Sequence, residues 1–333
     1  MWRNLILLIL LALLGPGWSR TERLDLLRAG PGEIHARRVP LDPREPSRRR
    51  LGVLTFLGGV ALSSPDPAFG GFSALHVAGD RFMMLSDGGG IVRFRMDGAG
   101  AISGARFADL PAGPGGLWKK EDRDSEVMAI DPVTGAIWIG FERWNAIWRY
   151  APGFARATGQ VTAAAMDDWS FNGGAESLVR RADGSFVVLS EGDFAKDGSG
   201  SSGRVFTGDP VAGAASYGFR LRGPKGWRAS DAAELPDGRM LLLLRRFAVA
   251  ERGFASKLML VEPGAIRPGA VVRGRIIATL AHPLVHDNFE GLAVIRERGR
   301  TILWLVSDDN QLALQRTLLL KFALNESNGK TPR

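Results

Sequence analysis

A two-part module recurs five times along this chain, and it constrains the fold more than any other feature. Each copy opens with small, acidic and aliphatic residues. A turn follows, usually at Gly or Asp-Gly, and then a strongly apolar strand that ends in charge. The copies are GFSALHV with RFMMLSDGG (71–77 and 81–89), DSEVMAIDPVTGAIWIGFER (124–143), GAESLVRRADGSFVVLSEGD (174–193), ASDAAELPDGRMLLLLRRF (229–247) and NFEGLAVIRERGRTILWLVSDDN (288–310). With Ser73, Glu126, Glu176, Asp231 and Glu290 as equivalent points, the spacings are 53, 50, 55 and 59 residues. That is the size of a four-stranded propeller blade and exceeds an ankyrin or leucine-rich repeat. The turn signals VTG, ADG and PDG separate the two strands of a hairpin in three of the copies.

Further strands fill the gaps. IVRFRMD and AISGARFADL complete the first blade, and AIWRYA is third in the second. The segment RLGVLTFLGGVAL (50–62) precedes the first module and has no blade of its own. Pairing it into the last blade would close the ring and remove an exposed edge. The expectation is an all-β β-propeller of five four-stranded blades, closed by an N-terminal strand, or six blades if an inter-module stretch holds a further unit. No window outside the N-terminus keeps a 3.6-residue apolar period, so helix should be almost absent.

The chain has 333 residues, a formal charge of +8 and no cysteine. The missing Cys excludes disulfides, thiolate metal sites and thiol catalysis. The basic residues are scattered, and no basic-aromatic module is present, so nucleic acid is not an expected partner. MWRNLILLILLALLGPGWSR carries Arg3, an apolar run from Leu5 to Leu14 and then Gly-Pro-Gly. That is the pattern of a secretory signal, or of an uncleaved N-terminal anchor, too short to span a bilayer comfortably. The expected organisation is a signal or anchor at 1–19, an irregular segment at 20–50, the propeller at 51–324 and a disordered tail at 325–333. The expected location is the periplasm or the medium, with membrane contact only through the N-terminal segment, and the expected state is a monomer.

In an antiparallel hairpin, the start of the first strand and the end of the second share one end. Glu126 should therefore meet Glu142, Glu176 should meet Glu191, and Glu290 should meet Asp308 and Asp309. Asp87 and the group Asp231, Arg245 and Arg246 fill the other two modules. The result is a ring of carboxylates at one mouth of the channel. Like charges at close range need Arg partners, a hard cation such as Ca²⁺, or protons. Alternatively each acid caps backbone N–H groups and only holds the blades together. In the functional reading Glu126, Glu176, Asp231 and Glu290 are the catalytic candidates. Glu142, Glu191, Asp308 and Asp87 are the metal candidates. Arg143, Arg245, Arg246, His286 and Asn288 are the candidates for holding a small anionic or ester substrate.

Several motifs are set aside. GSGSSG (198–203) matches a dinucleotide fingerprint formally but lacks the flanking strand and helix. There is no G-x-S-x-G elbow and no Walker A sequence. His282 and His286 are four apart with Pro283 between them, which does not make a helical zinc pair.

The elements FSAL…FMMLSD, DSEVMAI…IWIGFER, AESLV…FVVLSEG, SDAAELPDGRMLLLLRRF and NFEGLAV…LVSDDN resemble the phytase-like β-propeller family, labelled "esterase-like activity of phytase". The resemblance runs from about residue 52 to 324. Ser73-Ala74-Leu75 stands where the family has Ser-Gly-Leu, and Val-Met follows Glu126 where Gly-Leu is commoner. The resemblance implies an exported propeller and a hydrolase of phosphate or other esters, with a carboxylate-rich site akin to that of calcium-dependent phytases. The rival is a non-catalytic periplasmic binding or scaffold propeller whose acids are structural.

Overall fold

Two faces of nearly every central strand are buried, which is why MLLLL, FVVLS and ILWLV read as continuous apolar runs rather than alternating ones. The computed structural model describes residues 26–115, 119–162, 166, 169, 174–191, 200–248 and 253–325. The expected signal segment and nearly all of the expected tail lie outside them, as do two residues of GSGSSG. Among the described residues no helix is long and apolar enough to cross a membrane.

The strands form five antiparallel blades, each starting from an inner strand. The inner strands are Phe72–Ala78, Ser125–Ile130, Ala175–Arg180, Arg228–Glu234 and Asn288–Glu297, defining blades 1 to 5. Their partners are Arg81–Ser86, Ile137–Phe141, Phe186–Ser190, Met240–Ala248 and Arg300–Asp308. Neighbouring inner strands touch around a closed ring, blade 5 against blade 1 included. The N-terminal strand Leu54–Ser63 pairs antiparallel with Thr317–Leu324, from Leu54↔Leu324 to Leu62↔Thr317, and closes blade 5 as expected. Outer-edge strands add to three blades: Gly30–Pro31 on blade 1, Val271–Arg273 on blade 3 and His35–Arg38 on blade 5. The fold is the five-bladed propeller read from the repeat.

The core is five apolar clusters, one per seam between blades. Alternate side chains of one strand enter opposite seams. Leu241 and Leu243 pack toward blade 5, while Met240, Leu242 and Leu244 pack toward blade 3. Gly291 lets the inner strands of blades 5 and 1 pack closely. A Cβ there would lie 2.6 Å from Val306 Cγ1 and 3.1 Å from Leu75 N.

Candidate active site

Every inner strand carries one extra residue opposite its partner, at the same end of the ring. In blade 1, Phe72 pairs with Ser86 and Ala74 with Leu85, leaving Ser73 as the extra residue. The corresponding residues are Glu126, Glu176, Ser230 and Glu290. Such a bulge re-aims a side chain out of the regular alternation. The register corrects the equivalence read from the sequence in blade 4: Ser230 occupies the repeated position, and Asp231 stands one residue further on. Ser230 Oγ donates to Phe289 O at 3.1 Å.

The partner strands supply a second set at this end. Asp87, Glu142, Glu191 and Asp308 follow or end them in blades 1, 2, 3 and 5. Blade 4 has Arg245 at this place, opposite Arg228. Asp124, two residues before the bulge of blade 2, joins the group. The mouth thus gathers eight carboxylates among the described residues, from Asp87, Asp124, Glu126, Glu142, Glu176, Glu191, Glu290 and Asp308.

Arg245 is the internal counter-ion. Its Nη1 donates to Glu290 Oε1 and, at 3.1 Å, to Asn288 Oδ1. Its Nη2 donates to Glu191 Oε1 at 2.8 Å. Asn288 Nδ2 donates to Glu290 Oε1 at 2.7 Å and holds that carboxylate in place. Burial alone would lower the pKa of Arg245, but Glu290, Glu191 and Glu176 outweigh it and raise it well above the usual value. Arg228 adds a second contact to Glu191 at 3.0 Å. Arg143 Nε donates to Asp124 Oδ2 at 3.0 Å.

Around Glu126, Glu142 and Glu176 the acids outnumber these cations. Oxygen atoms of Asp124, Glu126 and Glu142 lie within 4.8 Å of one another, as do those of Glu142, Glu176 and Glu191. Burial raises the carboxyl pKa of Glu126 well above its ordinary value, and Glu176 and Asp124 add to it. Burial, then Asp124 and Glu191, push Glu142 up to about 8 against the pull of Arg245 and Arg143. Glu176 is raised well above its ordinary value by burial, then by Glu191 and Glu142. Asp308 is raised by burial, then by Glu290 and Asp87. Glu290 is raised by burial, with Arg245 and Asn288 opposing.

Glu176 is the group that tests whether a cation fits. It is 5% exposed, and Glu191 and Glu142 crowd it with like charge while Arg245 pulls the other way. Burial and its carboxylate neighbours outweigh that pull, so the site calls for a proton or a cation there. The donors are all carboxylate oxygens, the set that suits hard divalent cations.

Some expected site residues do not join the well. Asp231 Oδ1 accepts from Ala232 N and its Oδ2 from Leu292 N, both at 2.7 Å, so it ties the inner strands of blades 4 and 5. Arg246 points to the opposite face from Arg245, as strand alternation requires, and lies over the Trp227 ring at 4.7 Å. His286 Nδ1 is 2.7 Å from Leu284 O, with its ring edge-on to His282. Arg123, a sequence neighbour of the acids, donates to Leu110 O at 2.7 Å instead. Conversely, Asp124 and Arg228 belong to the site and were not singled out. Their signal was position, two residues before the bulge.

No curated protein matches the chain. The solved structures that the chain matches include two at low identity. One is the Kuenenia stuttgartiensis hydrazine synthase, 10% identical over 74% of this chain and 79% of that one, with a TM-score of 0.39. The other is a luciferin-regenerating enzyme, 11% identical over 81% of both chains, with a TM-score of 0.41. The Phytase-like family model, described as "Esterase-like activity of phytase", matches residues 67–311, so the chain belongs to that family.

Proposed function

We propose that the mouth is the active site of a cation-dependent hydrolase acting on phosphate or other esters. The buried carboxylate of Glu176, crowded by Glu142 and Glu191, carries this reading, and membership of the phytase-like family supports it. Glu142, Glu176 and Glu191 would hold the ion, with Asp124 and Glu126 beside Glu142, and Ca²⁺ is the cation best suited to an all-oxygen set. Bound there, the ion would neutralise a phosphate or polarise an ester carbonyl.

The chain's own residues give the well a direction. Arg245 and Arg228 stand at blade 4, and Glu126, Glu142 and Glu176 stand at blades 2 and 3. An ester oxygen or phosphate is drawn between them. Arg245 keeps donors on Nε and Nη2 beyond its contacts with Glu191, Glu290 and Asn288. The N-terminal pattern supports export to the periplasm or the medium.

The test is turnover of p-nitrophenyl phosphate, p-nitrophenyl acetate and phytate with Ca²⁺ and then with EDTA, beside metal analysis of the purified protein. The reading expects turnover of at least one substrate, abolished by EDTA and by Glu176→Gln. No turnover together with no Ca²⁺-dependent shift in melting would favour the scaffold reading, which Asp231 already illustrates by capping backbone.

A further inference from the structure

Seven large apolar side chains stand exposed among the described residues, and four of them lie on the face that holds the acids. Trp144 is 45% exposed and directly follows Arg143. Phe247 is 44% exposed and comes two residues after Arg245. Leu312 and Leu314, 38% and 76% exposed, follow Asp308 and Asp309. Each belongs to the connection or hairpin end between the second and third strands of blade 2, 4 or 5, which leaves the sheet beside Glu142, Arg245 and Asp308. In blade 4 the ladder continues past Arg245 to Ala248↔Gly253. Phe254 backs Phe247 there, with ring centroids 5.1 Å apart. The remaining three are scattered: Val133 in a turn at the opposite end, Val271 on an outer-edge strand and Leu57 on the closing strand.

Four of the seven stand around that one mouth, where an apolar partner would cover them. The acidic well explains a cation and, through it, a polar ester head. It gives no role to an apolar rim. A polyphosphorylated sugar would leave that rim in water, whereas a hydrocarbon chain would cover it. Resting on the hydrolase reading above, we infer that the substrate is an amphiphilic ester. Its head enters the well, and its hydrocarbon part lies against Trp144, Phe247, Leu312 and Leu314. Hydrolysis adds one water across the C–O or P–O bond. The hydroxyl goes to the acyl or phosphoryl side and the proton to the leaving oxygen, so no redox partner is needed.

The experiment compares kcat/KM for p-nitrophenyl acetate, hexanoate and decanoate, and for p-nitrophenyl phosphate against hexyl p-nitrophenyl phosphate. All are used with Ca²⁺ and below micelle formation. The expected gain from acetate to decanoate is about tenfold or more, from partial burial of the added methylenes. The triple variant Trp144→Ser, Phe247→Ser, Leu314→Ser changes exposed positions, and thermal unfolding checks that it folds. Its decanoate-to-acetate ratio is expected to fall about fivefold, as some of that apolar contact is lost. A flat chain-length profile with active short esters overturns this inference and leaves the hydrolase reading standing. A preference that survives the triple substitution overturns it too. Absence of turnover on every ester sinks the hydrolase reading and takes this inference with it.

Discussion

Arg245 stands where the other four blades place an acid, and it answers to three groups at once: Glu191, Glu290 and Asn288. Removing one partner of a buried ion pair leaves the other uncompensated, at a cost on the order of 3–5 kcal/mol. Arg245→Gln is therefore expected to lower the melting temperature sharply in EDTA. Ca²⁺ should restore part of the loss, because a cation then has the place of the guanidinium. Arg245→Lys keeps the charge but loses the fork, and should fall between the two. Calorimetry with and without Ca²⁺ decides it; a glutamine variant that melts like the parent would remove Arg245 from this role. Asp231 behaves differently. Burial pushes its carboxyl from 3.8 up to about 8, against two backbone N–H donors. A raised pKa means that the folded state holds the proton more tightly. Its contribution is fully present below pH 3.8 and is lost as pH rises through about 8. Asp231→Asn should flatten the stability-versus-pH curve between those limits by an amount on the order of a few kcal/mol. A curve of unchanged slope would show that Asp231 does not titrate there.

Between single residues and the ring stand the bulged inner strands and the seams. The repeat and the apolar runs were legible because propeller blades bury both faces of their middle strands. The closure was legible because RLGVLTFLGGVAL had no partner in its own module. The bulges were not legible, since an extra residue is defined by pairing register and not by its own identity. In blade 4 a serine at the bulge precedes an acid, so the acid drew the alignment one residue off. Arg246 was grouped with Arg245 for the same reason, as adjacency in sequence hides opposite faces on a strand. The seams also carry reciprocal polar ties: Trp138 Nε1 donates to Asp209 at 2.8 Å, and Arg180 pairs with Asp131 at 3.1 Å. Where seams are tightest, volume decides. Gly291→Ala brings a methyl within 2.6 Å of Val306 and against the backbone of blade 1. Overpacking of this kind costs about 1–3 kcal/mol, and the urea midpoint should drop accordingly with an unchanged m-value. An unaffected midpoint would mean that the seam opens freely. Removing residues 1–63 takes away the strand that covers Thr317–Leu324. The expected product is insoluble on expression, and a soluble, cooperatively melting one would contradict closure by this strand.

The propeller as a whole puts a negative centre inside a positive body. The chain carries +8 overall, yet eight acids converge on one mouth. Folding must therefore bring carboxylates together that repel in the product state, and something must neutralise them. Without a cation that something is protons. Glu142 rises to about 8, and Glu126, Glu176 and Asp308 rise well above their ordinary values, burial first in each case. All four shifts have the same sign, so the folded state binds more protons than the unfolded one above the ordinary carboxylate range. Stability in EDTA is then highest on the acid side and falls as pH climbs through about 8. A divalent cation competes with those protons and binds only the ionised carboxylates. Its stabilisation must therefore grow as pH rises, opposite in direction to the loss in EDTA. Melting curves at pH 5.5 and 8.5, with Ca²⁺ and with EDTA, should show the Ca²⁺-induced rise larger at the higher pH by several degrees for a domain of this size. Glu176→Gln should shrink that rise, and Asp231→Asn, which leaves the well intact, should not. An equal rise at both pH values would place the cation somewhere other than this ring.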